Sequence, residues 1–198
     1  MVIREFDLRA EDRLITVTEF LAYAEHQDNS DRKLELINGV MVEEMSPGFK
    51  HGNLGLKLIS PIQIFAREHN LGEVSSEVDH YTKTDDFNSR RPDFEFISKA
   101  RLSEIVDENK AVPFMPDLAI EIKSPGNTYE ELRQKAAYYL QNGCRMVWLL
   151  YPVKEQIAAY TLDKDGKPEL KLYGKQDILE GGDVLPGFAL PLNLVFDV

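Results

Sequence analysis

The sequence predicts an α/β domain with β-rich margins, and three observations carry that expectation. Apolar strand patterns at residues 92–97, 116–124 and 145–151 alternate with helical patterns at 51–68 and from Thr128 to Gly143. The pair Asn38-Gly39 between two apolar runs marks a hairpin, because a type I′ turn needs positive φ at both central residues. A length of 198 residues fits one domain, spanning 1–198, with a sizeable core.

In chain order, residues 14–24 read as a first helix with Thr16 or Thr18 near its start. Residues 33–37 and 40–44 form the hairpin; pairing Ile37 with Val40 sets Glu35 opposite Val42 on one face, and Ser46-Pro47-Gly48 ends it. The helix at 51–68 carries Leu54, Leu58, Ile62 and Phe65 on one stripe, with Pro61 as a candidate kink. Residues 72–82 read as one or two strands, 85–91 as a polar loop, and 99–113 as a polar connection with room for a short helix. Thr128 with Glu131 is a capping box, and Leu132, Ala136, Tyr139 and Leu140 face inward until Gly143 stops the helix. Residues 155–162 and 169–173 make a further hairpin around 163–166, and the tail at 185–188 is loop or edge strand.

Composition narrows the function classes. The net charge of -11 argues against a broad DNA-coating surface, since phosphate contacts need clustered Lys and Arg, but not against a local site where metal ions supply positive charge. The longest apolar run, 146–151, stops at Pro152, so no membrane span is expected. The first seven residues lack the apolar region of a signal peptide, and Cys144 is the only cysteine, so no internal disulfide and no cysteine zinc cluster is expected. A reducing cytoplasm is the simplest location, with Cys144 a small buried residue.

The stretch Pro116-Asp117-Leu118-Ala119-Ile120-Glu121-Ile122-Lys123-Ser124 concentrates the chemistry. Alternation puts Leu118, Ile120 and Ile122 on one face and Asp117, Ala119, Glu121 and Lys123 on the other. Charges on a strand built for burial are expensive unless they meet something. The acid-x-Lys pattern alone proves nothing: it recurs at Asp31-Lys33, Glu108-Lys110, Asp165-Lys167 and Glu169-Lys171, where solvated charge pairs at turns and edges explain it. Only Glu121-Lys123 sits in a strongly apolar strand, 28 residues after another strand carrying Pro92-Asp93. Hydrolysis of a phosphodiester calls for a hard cation, and Mg2+ takes one or two carboxylates and leaves other positions to water and substrate. Asp93 and Glu121 could be those carboxylates, with the Ile122 carbonyl beside them and Lys123 next to the attacking water.

Pro92-Asp93 with Glu121-Ile122-Lys123 resembles the PD-(D/E)XK nuclease superfamily. Within it the chain is similar to the Uma family of restriction-endonuclease-like proteins, through Leu34 to Gly39, His51, Arg91-Pro92-Asp93, Pro116 to Glu121, Ser124-Pro125, Lys135, Tyr139, Gly143 and the ending Leu185 to Leu190. The resemblance covers the chain from about residue 14. It implies a restriction-endonuclease-like αβββαβ core with a mixed central sheet flanked by helices, plus the N-terminal hairpin and C-terminal β additions. It also implies metal-dependent DNA cleavage with Mg2+ or Mn2+, Asp93 and Glu121 holding the metal, Lys123 acting on the water, and Glu35 an additional acid at the site's edge. Many relatives have an apolar residue where Lys123 stands, and their usual Asp-Pro after the last core strand is Tyr151-Pro152 here.

Other candidates keep two readings each. His51 either N-caps or starts the second helix, or joins the site. Gln134 and Tyr138, at i and i+4, share a helix face and resemble a Gln-x-x-x-Tyr element of some nucleases, while Lys135 and Tyr139 fit the Uma pattern. Asp117 is an alternative ligand or a strand-start charge. The leading expectation is a DNA endonuclease working as a homodimer, since two-fold symmetry serves the cutting of two strands. The alternatives are a catalytically inactive nuclease-fold binding or scaffolding protein, and a two-carboxylate hydrolase such as a glycosidase, which Lys123 in register with Glu121 disfavours.

Overall fold

The computed structural model describes residues 13–29, 32–44, 46 and 48–197. The expectations for the first seven residues, for Asp31 and for Pro47 lie outside the described residues. Helix α1, Val17–Ala24, begins later than the pattern at 14–24 because Thr16 is its N-cap and closes a capping box with Glu19. Strands β1, Leu34–Ile37, and β2, Val40–Glu43, pair as the sequence predicts, with Ile37 opposite Val40 and Glu35 opposite Val42. Asn38 and Gly39 take φ of 50° and 76°, as the tight turn requires. Helix α2, Phe49–Glu68, runs through Pro61 and buries Leu54, Leu58 and Ile62.

Strands β3, Gly72–Ser75, β4, His80–Thr82, β5, Asp85–Arg90, and β6, Phe94–Ser98, follow, then a short helix α3, Lys99–Leu102. Residues 85–90 are thus a strand and not the polar loop their composition suggests. Their Asn88, Ser89 and Arg90 are buried against polar partners rather than solvated, so the strand lacks the apolar alternation that would announce it. Strand β7, Leu118–Ile122, leads to helix α4, Tyr129–Gln141, which opens on the Thr128–Glu131 capping box, and to strand β8, Met146–Tyr151. Strands β9, Gln156–Leu162, β10, Pro168–Gly174, β11, Ile178–Glu180, and β12, Ala189–Pro191, and a short helix α5, Asn193–Phe196, complete the chain.

The central sheet has the order β10-β9-β8-β7-β6-β3 and is mixed: β7 and β8 are parallel, joined through α4, and the other pairs are antiparallel. Helix α2 and the C-terminal elements cover the face bearing Phe96, Leu118, Ile120, Trp148 and Leu150. Helix α4 covers the face bearing Ala119, Val147 and Leu149. The sequence α2-β3-β6-β7-α4-β8 is the αβββαβ core, with β4 and β5 inserted. A second sheet, β2-β1-β5-β4, packs α1 over Leu34 and Leu36. No helix among the described residues is long and apolar enough to cross a membrane.

The two sheets meet where β5 runs into β6. Pro92 has no N–H to give a ladder, so the chain leaves one sheet at Arg91 and enters the other at Phe94. Phe94 pairs with Ile120, so Asp93 stands one residue beyond the ladder, beside Glu121 at the C-terminal end of β7. This junction positions the site.

Candidate active site

Asp93 is buried and saturated with donors. Its Oδ1 accepts from Lys33 Nζ at 2.7 Å, its Oδ2 accepts from the Ile122 N–H at 2.8 Å, and His51 Nε2 lies 3.4 Å from Oδ2. His51 is in the first turn of α2 and is not its N-cap, a position taken by Gly48. Burial pushes the Asp93 carboxyl up, but His51 and Lys33 outweigh it and hold the group well below the usual carboxylate range.

Glu121 points to the opposite face from Ile120 and Ile122 and meets α4. Lys135 and Tyr139, one helical turn apart, both reach it: Lys135 Nζ at 3.0 Å from Oε1, and the Tyr139 hydroxyl donating to Oε1 at 2.8 Å. The hairpin supplies two further acids. Glu35 Oε1 accepts from the Arg91 N–H at 2.7 Å and lies 3.0 Å from Lys135 Nζ. Glu44, just past β2, is 3.2 Å from Lys135 and 3.5 Å from Lys33. Four carboxylates therefore share two lysines, with Lys135 serving Glu35, Glu44 and Glu121, and Lys33 serving Glu44 and Asp93.

The excess of acid shows in the protonation preferences. Burial is the largest influence on Glu121 and pushes it up, with Asp93, Glu35 and Glu44 adding to it against Lys135, so that its pKa is about 8. Burial pulls Lys135 down, but Glu121, Glu35 and Glu44 more than reverse this and hold its ammonium well above its ordinary range. Burial likewise opposes Lys33, and Asp93 and Glu44 prevail.

The structure brings Glu35, Asp93, Glu121, Ile122, His51 and Lys135 together from the residues singled out in the sequence. Other candidates stand elsewhere. Lys123 Nζ donates to the Ser124 carbonyl at 3.2 Å and lies 5.1 Å from the centre of the Tyr129 ring; the ammonium groups touching the acids are those of Lys33 and Lys135. Asp117 is at the other end of β7, where it accepts from the Ser98 N–H and lies 3.6 Å from both Arg101 and Arg145. Gln134 bonds Glu130 on its own helix, and Tyr138 donates to Asp85 on β5. Lys33 and Glu44 were missed by reading the sequence. The signal for them was present: the hairpin register that faces Glu35 with Val42 also faces Lys33 with Glu44 on the same side.

The donor chemistry fits a hard divalent cation, since four acids crowd together, and burial, with the acidic neighbours, drives Glu121 toward its proton-bound form against Lys135. Among the described residues no three acidic, His or Cys side chains converge on one point. Lys135 and Lys33 stand between the acids, and Mg2+ needs only one or two carboxylates.

A mixed sheet flanked by helices, with Asp93 just before β6 meeting Glu121 at the end of β7, places the fold in the restriction-endonuclease-like class. The Uma2 family model, described as "Putative restriction endonuclease", matches residues 17–193, and the chain belongs to that family. Among solved structures it is similar to one from Anabaena variabilis ATCC 29413, described as "a putative nuclease belonging to DUF820". That similarity has a TM-score of 0.75 at 20% sequence identity, over 92% of this chain and 97% of the other. No curated protein matches.

Proposed function

We propose that this protein is a metal-dependent endonuclease that hydrolyses DNA phosphodiester bonds at the cluster of Glu35, Glu44, Asp93 and Glu121. The observation that carries the reading is the burial of these carboxylates together at a strand end, Glu35, Asp93 and Glu121 each at most 6% exposed. Such a gathering costs stability, and clusters of this kind concentrate at functional sites. Asp93 and Glu121, with the Ile122 carbonyl, would hold Mg2+ or Mn2+, which when bound supplies Lewis-acid activation of water and charge neutralisation at the phosphate.

The chain's own groups do the rest. Tyr139 and Lys135 fix the rotamer of Glu121 by two directed contacts. The Ile122 N–H and Lys33 do the same for Asp93. Lys123 follows Glu121 on the strand and would neutralise charge developing on the phosphate or orient the attacking water. Two copies acting together would cut both strands of a duplex.

Purified protein should nick supercoiled plasmid in Mg2+ or Mn2+, and Asp93→Asn and Lys123→Ala should each abolish nicking. Equal nicking by all three preparations would identify a contaminant and sink the reading. A second reading, a nuclease-fold binding protein without catalysis, is favoured by one observation: every acid of the cluster already contacts a lysine ammonium. No nicking by folded wild-type protein in either metal would select it.

A further inference from the structure

A second cavity adjoins the acid cluster and differs from it in chemistry. It has a volume of about 370 Å3 and is lined by Lys50, His51, Lys123, Tyr129, Tyr151 and Pro152, among others. That size lies in the range of small-ligand sites, about 300–1,000 Å3. His51 joins the two regions, since its Nε2 is 3.4 Å from Asp93 while its ring forms part of the cavity wall. The buried His51 Nδ1 has no hydrogen-bond partner.

The walls pair aromatic faces with cations. The Tyr129 and Tyr151 rings are 5.1 Å apart at 57°. Lys123 Nζ, in the cavity wall, lies 5.1 Å from the Tyr129 ring centre, and Lys154 Nζ, outside the lining, lies 4.2 Å from it. In a chain of net charge -11, no acidic residue is among the described residues lining this cavity. An uncharged apolar ligand would not need the lysines, and a bare phosphate would not need the rings. A flat heteroaromatic base carrying a phosphate uses both.

We propose that this cavity receives an unpaired nucleobase adjoining the scissile phosphate, with the half-buried Tyr129 ring stacking the base, the buried Tyr151 ring buttressing Tyr129, and Lys50 and Lys123 holding the phosphate. The substrate class is then DNA with a single-stranded or displaced nucleotide, rather than an uninterrupted duplex. This rests on the proposal that the acid cluster acts on DNA. A stacked base within the duplex cannot enter a side cavity, so an unpaired position lowers the cost of occupying it.

The test is fluorescence binding in Ca2+, which reads binding independently of cleavage. Labelled duplexes carry a short 3′ or 5′ overhang, the same overhang with an abasic site, or a blunt end, and a further set carries 2-aminopurine in the overhang. Wild-type protein should bind an overhang about ten-fold more tightly than its abasic counterpart or the blunt duplex, and should quench the 2-aminopurine. Tyr129→Leu, which keeps apolar bulk, should lose both the preference and the quenching; Tyr129→Trp should keep them. Free dTMP at the oligonucleotide's concentration should not compete. Equal affinity of wild type for base and abasic overhangs, wild-type discrimination by Tyr129→Leu, or dTMP binding as tight as the overhang would each overturn the proposal. Nicking without base preference would defeat this inference alone; overhang preference without any nicking would leave it standing and defeat the cleavage proposal.

Discussion

Lys135 is the residue on which the acid cluster depends most. It lies on α4 with its ammonium within 3.2 Å of Glu35, Glu44 and Glu121. Lys135→Met would leave three acids without that cation, and removing one partner of a buried pair costs about 3–5 kcal/mol. Urea unfolding should show a loss of that size. Cys144 shows the opposite case, a polar group buried for packing. Burial pushes its thiol up to about 12, so it should resist a thiol reagent at pH 8 in the native state and react fully in denaturant. Asp93 and Glu121 were legible in the sequence because charges on apolar strands are costly and therefore informative. Lys33 was not picked out, because an acid-x-Lys at a hairpin's edge looks like any solvated charge pair; the hairpin register sets it beside Glu44, but its contact with Asp93 is tertiary.

At the scale of elements, the site depends on how closely α2 and α4 sit against β6 and β7. Gly55 of α2 faces the Phe94 ring so closely that an added Cβ would collide with it. Gly55→Ala should therefore destabilise the protein by about 1–3 kcal/mol despite the better helix propensity of alanine, as thermal or urea unfolding can measure. The hairpin register, both capping boxes and the apolar stripe of α2 were readable, because turn chemistry and side-chain period are local properties. Strand β5 was not readable: its buried Asn88, Ser89 and Arg90 are specified by Asn38 in the hairpin turn, by β1 and by Tyr138 on α4, which lie far away in sequence.

For the whole molecule, Glu121 and Asp93 act on stability in opposite senses. Glu121 has its pKa raised by burial and by its acidic neighbours, to about 8, so its contribution is complete below its unfolded value of about 4.3 and is lost as pH rises through 8. Asp93 is depressed, so its contribution is present above its unfolded value of about 3.9 and lost as pH falls below that. Stability should therefore peak in mildly acidic solution and decline toward pH 8, and Glu121→Gln should flatten the decline on the alkaline side. Unfolding free energies across pH 4–9 for the two proteins check this. The αβββαβ order and the approach of Asp93 to Glu121 followed from alternating patterns and family resemblance. How the second sheet carries Glu35, Glu44 and Lys33 onto the same point did not, because it depends on the β5–β6 crossing at Pro92.

The central claim, that Asp93 and Glu121 hold a divalent metal, is tested most directly by calorimetric titration of Mg2+ into wild type and Glu121→Gln at pH 8. The account predicts saturable binding to wild type and at least a ten-fold loss of affinity in Glu121→Gln with its fold retained by circular dichroism. Binding of equal strength in both proteins, or no binding to folded wild type, would contradict it.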